Sequence, residues 1–481
     1  MARSVRHKRR AGHACAWPCQ RTELQPTRAR PTAVSRLNSS ATPGRIRQGL
    51  ALALYAAVLR LLTPLYLLRL GWRSLKEPLY RRAIGQRLGL YGGPKPAPGM
   101  LWLHAVSLGE TRASQPLVDQ LRRLRPGLRF LFTHGTGTGL AAGELLLQPG
   151  DCQAWMPFDT PGATRRFLRH FQPAMGVLME TEIWPSMQHQ AGLAGIPMAQ
   201  ANARLNPRSA QRGRRFAALL HPAAARLALA LAQTEDDAQR LRAAGVPQVQ
   251  VCGNLKFDVT PPAELLALGR RWRQAIEAKR RPVLLAASTR EGEETMLLKL
   301  WREQPLPRPL LLLVPRHPQR FDEVAALVQA SGLSLVRRSS WADLPPPDAG
   351  QSDVWLGDTI GEMPAYYACA DVALLGGSYA KFGGQNLIEA AACGCPVVMG
   401  PHTFNFAQAA TDALAAGAAI RAPNLAAGIR AAVALARDPQ RDAWAQHALA
   451  FAAAHQGAAE RVAVQLLRLL PPAQDSGSAP G

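Results

Sequence analysis

Residues 372–405 constrain the fold more than any other stretch of this chain, because they alternate a strand, a glycine-rich loop, a helix and a second strand. Val372–Leu375 is a short apolar run that two glycines end, as expected of a buried parallel strand. Two further glycines precede Asn386, a residue type that caps helices, so we predict a helix from about Leu387. This order of elements predicts an α/β fold.

The loop before that helix suits an anion. Free backbone N–H groups and the positive end of the helix meet there, as a phosphate requires. Asn386 and Glu389 are three residues apart, so a purely structural capping box is the alternative. The loop does not match G-x-G-x-x-G, and G-x-x-x-x-G-K-[ST] occurs nowhere in the chain. The pattern therefore supports neither a nicotinamide site nor a P-loop.

The alternation of apolar strands and helical stretches begins near residue 100 and restarts after the proline-containing stretch 258–262. We predict strands at 101–106, 129–134, 175–180, 249–254, 282–288, 309–316, 333–338, 353–358, 371–377 and 396–400, and helices near 111–124, 236–244 and 264–279. This pattern predicts two Rossmann-like, doubly wound domains that face each other across a cleft. Ligands are expected at the carboxyl ends of the strands.

The positive charge of the chain is concentrated at its start. Residues 1–50 hold eleven Lys or Arg against one acid, and residues 51–100 hold eight against one, so 17 of the formal net charge of +24 lies in the first hundred residues. A nucleic-acid-binding enzyme more often carries its basic stripe on the folded domain. A basic collar around an apolar segment indicates the surface of an anionic membrane instead.

That apolar segment is Leu50–Leu68, nineteen residues interrupted by Arg60, Thr63 and Pro64. The length suits a bilayer, and a central arginine costs about 2.5–3.5 kcal/mol on insertion scales. A single span and a helix in the membrane plane both remain open, with a buried core helix as the third possibility. Basic residues follow the segment closely, so the globular part is expected to stay in the cytoplasm.

The ends of the chain are expected to lie outside the globular domains. Residues 1–48 are rich in Arg, Ser, Thr and Pro, which fits a disordered tail, an over-long start or an organellar presequence. Seven cysteines without a C-x-x-C pair indicate a reduced compartment and no structural zinc. The predicted segments are 1–48, a basic tail or mis-called start; 49–75, a membrane-anchor helix; 76–262, the N-terminal Rossmann-like domain; 263–470, the C-terminal Rossmann-like domain; and 471–481, a second tail.

Charged side chains follow several of the predicted strands. Glu110, after the first strand, is placed to accept a proton from a hydroxyl, although a glutamate in the first turn of a helix also has a structural explanation. Glu180 and Glu182 are two apart and would face opposite sides of an extended strand, so only one is expected to line the cleft. Lys256 and Arg316 also follow strands, where cations suit a phosphate diester. No Asp-x-Asp pair occurs, so we expect Lys, Arg and helix ends, rather than a metal, to neutralise the phosphate.

An ordered series of motifs resembles the 3-deoxy-D-manno-octulosonic acid (Kdo) transferase family over about residues 48–465. The motifs are HAVSLGE, PFDTP, METEIWP, NARL, QTEDDAQRL, GNLKFD, EGEE, VPRHPQR, LGDTIGEM, ADVALLGGS, GGQNLIEA and GPHTFNF. The resemblance implies the GT-B fold with a short N-terminal membrane anchor and a cytoplasmic active site at the inner membrane. It also implies an inverting, metal-independent glycosyltransferase of lipopolysaccharide biosynthesis, without a cofactor, that moves Kdo from CMP-Kdo to a lipid A precursor.

The resemblance also implies roles for single residues. Glu110 would be the general base, with Glu180 and Lys256 assisting it in the cleft. The CMP contacts would be Pro315, Arg316, Gly361, Glu362, Met363, Asn386, Leu387, Ile388 and Glu389. The implied partners are CMP-Kdo, the lipid A precursor and an anionic inner-leaflet membrane, with no nucleic acid and no metal.

Several positions depart from the family pattern. Lys381, Phe382 and Gln385 stand where Pro-His before the loop glycines and His after them are usual, Arg290 stands where histidine is common, and HGTGTG (134–139) replaces a version rich in threonine and proline. Two other classes remain as alternatives: a GT-B-shaped nucleotide-sugar epimerase or hydrolase, and a non-enzymatic membrane scaffold or nucleic-acid binder. CMP release without a lipid acceptor would favour the epimerase or hydrolase. Salt-dependent RNA binding that is lost when residues 1–48 are deleted would favour the scaffold or nucleic-acid binder.

Overall fold

The computed structural model describes residues 43–75, 77–258, 260–277 and 281–471. Its first element is helix α1 (Pro43–Arg73). By length and composition this helix could cross a membrane, with a mean hydropathy of 1.8 in its most apolar window. Most of the predicted tail 1–48 and nearly all of the predicted tail 471–481 lie outside the described residues.

The first half of the chain forms a seven-stranded parallel sheet. Its strands are β1 (Leu101–His104), β2 (Phe130–His134), β3 (Cys152–Trp155), β4 (Met175–Met179), β5 (Met198–Ala203), β6 (Leu227–Ala232) and β7 (Val249–Val251). Their order is β3-β2-β1-β4-β5-β6-β7, so the direction of winding reverses between β1 and β4. The connections after β1 and β4 therefore diverge to opposite faces and leave a crevice at their carboxyl ends.

The second half forms another seven-stranded parallel sheet. Its strands are β8 (Val283–Thr289), β9 (Leu310–Pro315), β10 (Leu335–Arg337), β11 (Val354–Leu356), β12 (Val372–Leu375), β13 (Val397–Met399) and β14 (Ala419–Arg421). Their order is β10-β11-β9-β8-β12-β13-β14, with the reversal between β8 and β12. The two sheets confirm the predicted pair of doubly wound halves.

Helices cover both faces of each sheet. In chain order they are α2 (Leu108–Leu124), α3 (Gly137–Glu144), α4 (Pro161–Phe171), α5 (Pro185–Leu193), α6 (Pro207–Arg215), α7 (Ala217–Ala224), α8 (Glu235–Ala243), α9 (Ala263–Glu277), α10 (Glu293–Arg302), α11 (Phe321–Ala330), α12 (Met363–Cys369), α13 (Leu387–Ala392), α14 (Ala407–Ala415), α15 (Leu425–Ala436), α16 (Arg441–His455) and α17 (Ala458–Leu469). Helices α2, α8 and α9 confirm the three predicted ones. Because both faces are covered, the central strands of each sheet are buried on both sides, whereas the edge strands β7 and β10 are not.

The last helix returns to the first half. Residues of α17 share one apolar core with α2 and with strands β1, β2, β4, β5 and β6. The Asp258 carboxylate, in the segment that joins the halves, accepts hydrogen bonds from the backbone N–H groups of Gly457 and Ala459 at the start of α17. Arg461 of α17 donates to the carbonyl oxygen of Cys252 at 3.0 Å. The two chain segments that connect the halves are thus bonded to each other. The domain boundaries stay predictions. A single boundary near residue 262 would assign α17 to the second half, although this helix packs on the first.

Candidate active site

Glu110 lies at the carboxyl edge of the first sheet, in the first turn of α2. Ser107 caps this helix, and its hydroxyl donates to Glu110 Oε1 at 3.0 Å. Glu110 Oε2 accepts a hydrogen bond from the backbone N–H of Val106 at 2.8 Å. Burial raises the pKa of the Glu110 carboxyl, and the negative charge of Glu180 adds to this rise. The hydrogen bonds from Val106 and Ser107 and the positive charge of Lys256 oppose it. The residue is therefore both a helix cap and a carboxylate with increased basicity.

Glu180 and Lys256 form an ion pair beside Glu110. Glu180 follows β4, and its Oε1 lies 2.7 Å from Lys256 Nζ, which is carried by the short turn after β7. Asn254 fixes the backbone at Lys256, because its side-chain oxygen accepts a hydrogen bond from the Lys256 backbone N–H at 3.0 Å. Because each of these two side chains influences the pKa of Glu110, the three predicted catalytic residues lie together.

Glu182 is also near enough to Glu110 and Glu180 to interact with their charges, and which of Glu180 and Glu182 lines the cleft stays a prediction. Burial raises the pKa of the Glu182 carboxyl to about 7, and the negative charges of Glu110 and Glu180 contribute to that rise. The expectation that only one of the two lines the cleft assumed an extended chain, and the backbone is not extended at this point. Glu180 has φ = 57°, the left-handed region, so the backbone turns at this residue and the alternation of a strand ends. A non-glycine residue held in that region is typical of functional sites.

The predicted donor-binding residues lie at the carboxyl edge of the second sheet. Arg316 directly follows β9 and is exposed. Asn386 caps α13, which begins at Leu387 as predicted, and its Oδ1 accepts from the backbone N–H of Ile388 at 3.1 Å. Glu389 Oε1 accepts from Asn386 Nδ2 at 3.1 Å. Burial raises the pKa of the Glu389 carboxyl, while Asn386 and the nearby positive charge of Arg316 lower it.

Gly361, Glu362 and Met363 form the start of α12 on the same edge of the second sheet. Gly361 has φ = 90°, which glycine adopts without strain. Glu362 is held from two sides, by a hydrogen bond from Thr359 and by an ion pair with Arg338 at 2.8 Å. Pro315 closes β9 beside this turn. The residues predicted to contact CMP thus follow the ends of β11, β9 and β12, of which β11 and β9 are neighbours while β8 lies between β9 and β12.

Two departures from the family pattern contact each other. The Arg290 guanidinium lies over the ring of Phe382, 4.6 Å from its centroid. The arginine that stands where histidine is common therefore has a cation–π partner at another position that departs from the pattern. Glu293, in the first turn of α10, accepts from the backbone N–H groups of Arg290 at 2.9 Å and of Gly377 at 2.7 Å. Glu293 therefore connects the end of β8 to the glycine-rich loop. The motif EGEE contains this residue, but the sequence alone does not predict its contact with the loop.

Comparison with known proteins identifies relatives over most of the chain. Residues 82–259 match the family model for 3-deoxy-D-manno-octulosonic-acid transferase (kdotransferase). The 3-deoxy-D-manno-octulosonic acid transferase of Bordetella pertussis is 48% identical over 427 residues, which are 85% of this chain and 96% of that protein. The enzyme of the same name from Haemophilus influenzae is 38% identical over 363 residues, 74% of this chain and 83% of that protein.

A solved structure matches both halves at once. The UDP-GlcNAc 2-epimerase from Neisseria meningitidis, bound to UDP-GlcNAc, covers 77% of this chain with all of its own, at 16% sequence identity and a TM-score of 0.50. A likeness at this level of identity concerns the fold alone. It agrees with the GT-B arrangement of two Rossmann-like domains, which both transferases and epimerases use.

Proposed function

Because the chain belongs to the Kdo transferase family, we propose that it transfers Kdo from CMP-Kdo to a lipid A precursor at the cytoplasmic face of the inner membrane. The observation that carries this proposal is the cluster of Glu110, Glu180 and Lys256 at the carboxyl edge of the first sheet. A carboxylate with a raised pKa is suited to accept a proton from a sugar hydroxyl. Membrane association is supported by the apolar length of α1.

The reaction would be a single displacement with inversion at the anomeric carbon of Kdo. Glu110 takes the proton of the acceptor hydroxyl while the hydroxyl oxygen bonds to that carbon. The bond between the carbon and the phosphate oxygen of CMP breaks, and the bonding electrons leave with the phosphate. Positive charge develops on the sugar ring in the transition state, and in this scheme the Glu180 carboxylate, which is paired with Lys256, would stabilise it.

Arg316 and the starts of α12 and α13 would hold the departing CMP. A guanidinium forms short, charge-assisted hydrogen bonds with phosphate oxygens, which stabilise the leaving group. Glu389 Oε1 accepts a hydrogen bond from Asn386, the residue that caps α13. We propose that Oε2 accepts a hydrogen bond from a hydroxyl of the ribose. In this scheme no metal or cofactor takes part, because the cationic side chain and helix starts supply the charge that a metal would provide.

The test measures Kdo transfer from CMP-Kdo, generated in situ, to a tetraacylated lipid A precursor, with purified protein and EDTA present. Glu110→Gln should lower kcat by about 10²–10⁴-fold, the usual contribution of a general base. Asp237→Asn is the matched control, since Asp237 occupies the same third position of α8 and bonds the capping hydroxyl of Thr234 at 2.7 Å.

Each result of this assay decides one part of the proposal. Product with wild type and Asp237→Asn, but not with Glu110→Gln, would support the transferase and its base together. Release of CMP without a Kdo-lipid would indicate a hydrolase or another acceptor. Full activity of Glu110→Gln would contradict the assignment of the base, and loss of activity on adding EDTA would contradict the metal-independent scheme.

A further inference from the structure

Helix α1 contacts the first half of the chain along much of its length. Tyr55 donates a hydrogen bond to Asp159 Oδ2 at 3.0 Å. Tyr66 packs edge-to-face against Phe158, with ring centroids 4.5 Å apart. Leu70 is 5% exposed and belongs to a small apolar cluster beside β3. Tyr55 and Leu70 are separated by fifteen positions. At about 1.5 Å per residue, roughly 22 Å of the helix therefore lies against the globular part.

The opposite face of α1 is apolar and exposed. This outer stripe consists of Leu50, Leu54, Val58, Leu61, Leu65, Leu68 and Trp72, whose spacing of three or four residues places them on one side of the helix. Their exposed fractions range from 45% for Val58 to 80% for Leu61. A continuous apolar surface of this length is not typical of a face that contacts only water.

Exposed arginines border the outer stripe. Arg60, Arg69 and Arg73 lie on α1 itself, and Arg81 and Arg82 follow it in the chain. Neither the Arg60 nor the Arg69 side chain forms a hydrogen bond or an ion pair with another residue in the part of the chain that the structure describes. An apolar stripe with a basic border is complementary to a bilayer with anionic headgroups, whereas a second copy of this chain would bring another set of positive charges to the same surface.

The contacts of Asp159 are incompatible with an upright α1. Besides Tyr55, the Asp159 carboxylate accepts from the backbone N–H groups of Ser186 at 2.9 Å and Met187 at 2.7 Å, where α5 begins. If α1 crossed a hydrocarbon core of about 30 Å, residues 55–66 would lie inside it, and so would Asp159 and this irregular polar segment. Loops exposed to lipid do not occur within the hydrocarbon core.

We propose that α1 lies in the plane of the membrane surface, with the outer stripe inserted into the interface of an anionic bilayer and the opposite face docked on the first half of the chain. The proposal rests on the membrane association proposed above and gives it an orientation, in which the chain does not cross the bilayer. Asp159 bonds both Tyr55 of α1 and the start of α5, which begins just after Glu180 and Glu182, so one side chain links α1 to the segment next to the candidate active site.

The first test locates residue 48, just before the outer stripe. Gln48→Cys is introduced into the full chain with its native cysteines replaced, and inside-out vesicles from expressing cells are treated with a membrane-impermeant maleimide. Gln48 is exposed, as is Gln329 on α11, and Gln329→Cys is the matched control for the cytoplasmic side. Equal labelling of both positions before and after detergent is expected, since both would lie on the outer side of these vesicles.

The outcomes separate this inference from the proposed function. Labelling of Gln329→Cys with protection of Gln48→Cys until detergent is added would overturn the in-plane orientation and leave the cytoplasmic transferase intact. Protection of both would overturn the cytoplasmic location as well. Kdo transfer in the same vesicles reports on the enzyme independently of either label.

A second test asks whether the outer stripe binds lipid. Leu54→Ser, Leu61→Ser and Leu65→Ser are combined, and flotation with vesicles of phosphatidylethanolamine and phosphatidylglycerol is measured. The control combines serine at three leucines exposed elsewhere, Leu145, Leu193 and Leu306, which are 87%, 70% and 76% exposed. Flotation should fall in the stripe variant alone, with an unchanged circular dichroism spectrum. Equal flotation of both variants would overturn the proposal. The proposal would also fail if the stripe substitutions left flotation unchanged and only converted a dimer into a monomer, because the stripe would then be an interface between two copies of the chain.

Discussion

The candidate base works within a group of charges whose effects have opposite signs. The negative charge of Glu180 raises the pKa of Glu110, and the positive charge of Lys256 lowers it. Since the ion pair joins these two residues at 2.7 Å, their influences partly cancel at the base. The sequence showed that charged residues follow β1, β4 and β7, but it did not show that three carboxylates and one lysine would meet.

The pH profile of kcat/KM should therefore respond in opposite directions to two substitutions. In Lys256→Met the loss of a cation makes ionised Glu110 less stable, so its pKa rises and the acid limb moves to higher pH. In Glu180→Gln the loss of an anion lowers that pKa, and the acid limb moves to lower pH. Steady-state rates across the acid range provide the measurement. Shifts of the same sign in both variants would contradict the assignment of the limb to Glu110.

At the scale of single elements, one helix crossing depends on a missing side chain. Gly269 in the middle of α9 packs against α12, and a Cβ at this position would collide with the carbonyl oxygen of Ala365 and lie 2.8 Å from the Cβ of Ala368. Backbone atoms cannot move aside as a flexible side chain can. The close approach of the two helices is therefore specific to glycine.

Gly269→Ala should lower the free energy of unfolding by about 1–3 kcal/mol, the usual cost of overpacking. Gly213→Ala is the control, because a Cβ there would find its nearest neighbour at an ordinary 3.7 Å, on Leu220. Alanine is the better helix former, so this control should be neutral or stabilising by up to about 1 kcal/mol. Urea denaturation measures both, and equal midpoints for the two variants would contradict the packing argument.

Ten strands were predicted, and all ten are present, because most of them contain a short run of valine, leucine or phenylalanine bounded by polar or turn residues. Strands β3, β5, β6 and β14 were not predicted. The sequences of β5 and β6 are MAQANA and LALALA. Alanine and leucine are strong helix formers, so local propensity opposes these strands, and burial between two layers of helices overrides it. Sequence patterns cannot show that tertiary effect.

The start of α13 was predicted from Asn386, since capping is a local interaction that sequence patterns reveal. The turn at Glu180 was not, because a positive φ at a glutamate is imposed by its surroundings. The contact between Arg290 and Phe382 was also unpredictable, as the two residues are distant in sequence. The sequence thus identifies candidate site residues one by one, and the structure shows which of these candidates lie together.

At the scale of the whole molecule, Asp258 connects the two halves. It lies in the segment that leaves the first sheet and caps the helix that returns to it. Phe257 and His455, its neighbours on the two segments, have ring centroids 5.5 Å apart. Both chain crossings between the halves therefore pass through one small cluster of contacts, which is where any rearrangement of one half against the other would have to pivot.

Asp258→Ala should lower the free energy of unfolding by about 1–2 kcal/mol, since two backbone donors at the start of α17 lose their acceptor. Asp442→Ala provides the control, because this aspartate lies in the first turn of α16 and its side chain is 92% exposed. It should change stability by only a few tenths of a kcal/mol. Urea denaturation of both variants gives the comparison, and equal effects would argue against a capping role for Asp258.

The return of α17 also has a consequence for protein synthesis. The ribosome releases the first sheet early, but that sheet obtains part of its apolar core from Ala458, Ala459, Val462, Ala463, Leu466 and Leu470. A nascent chain that has emerged only as far as α16 therefore exposes one face of its first half, and this half cannot reach its final packing during translation. A premature stop codon shortly before residue 458 would leave all of the candidate active-site residues on an unfinished, aggregation-prone protein.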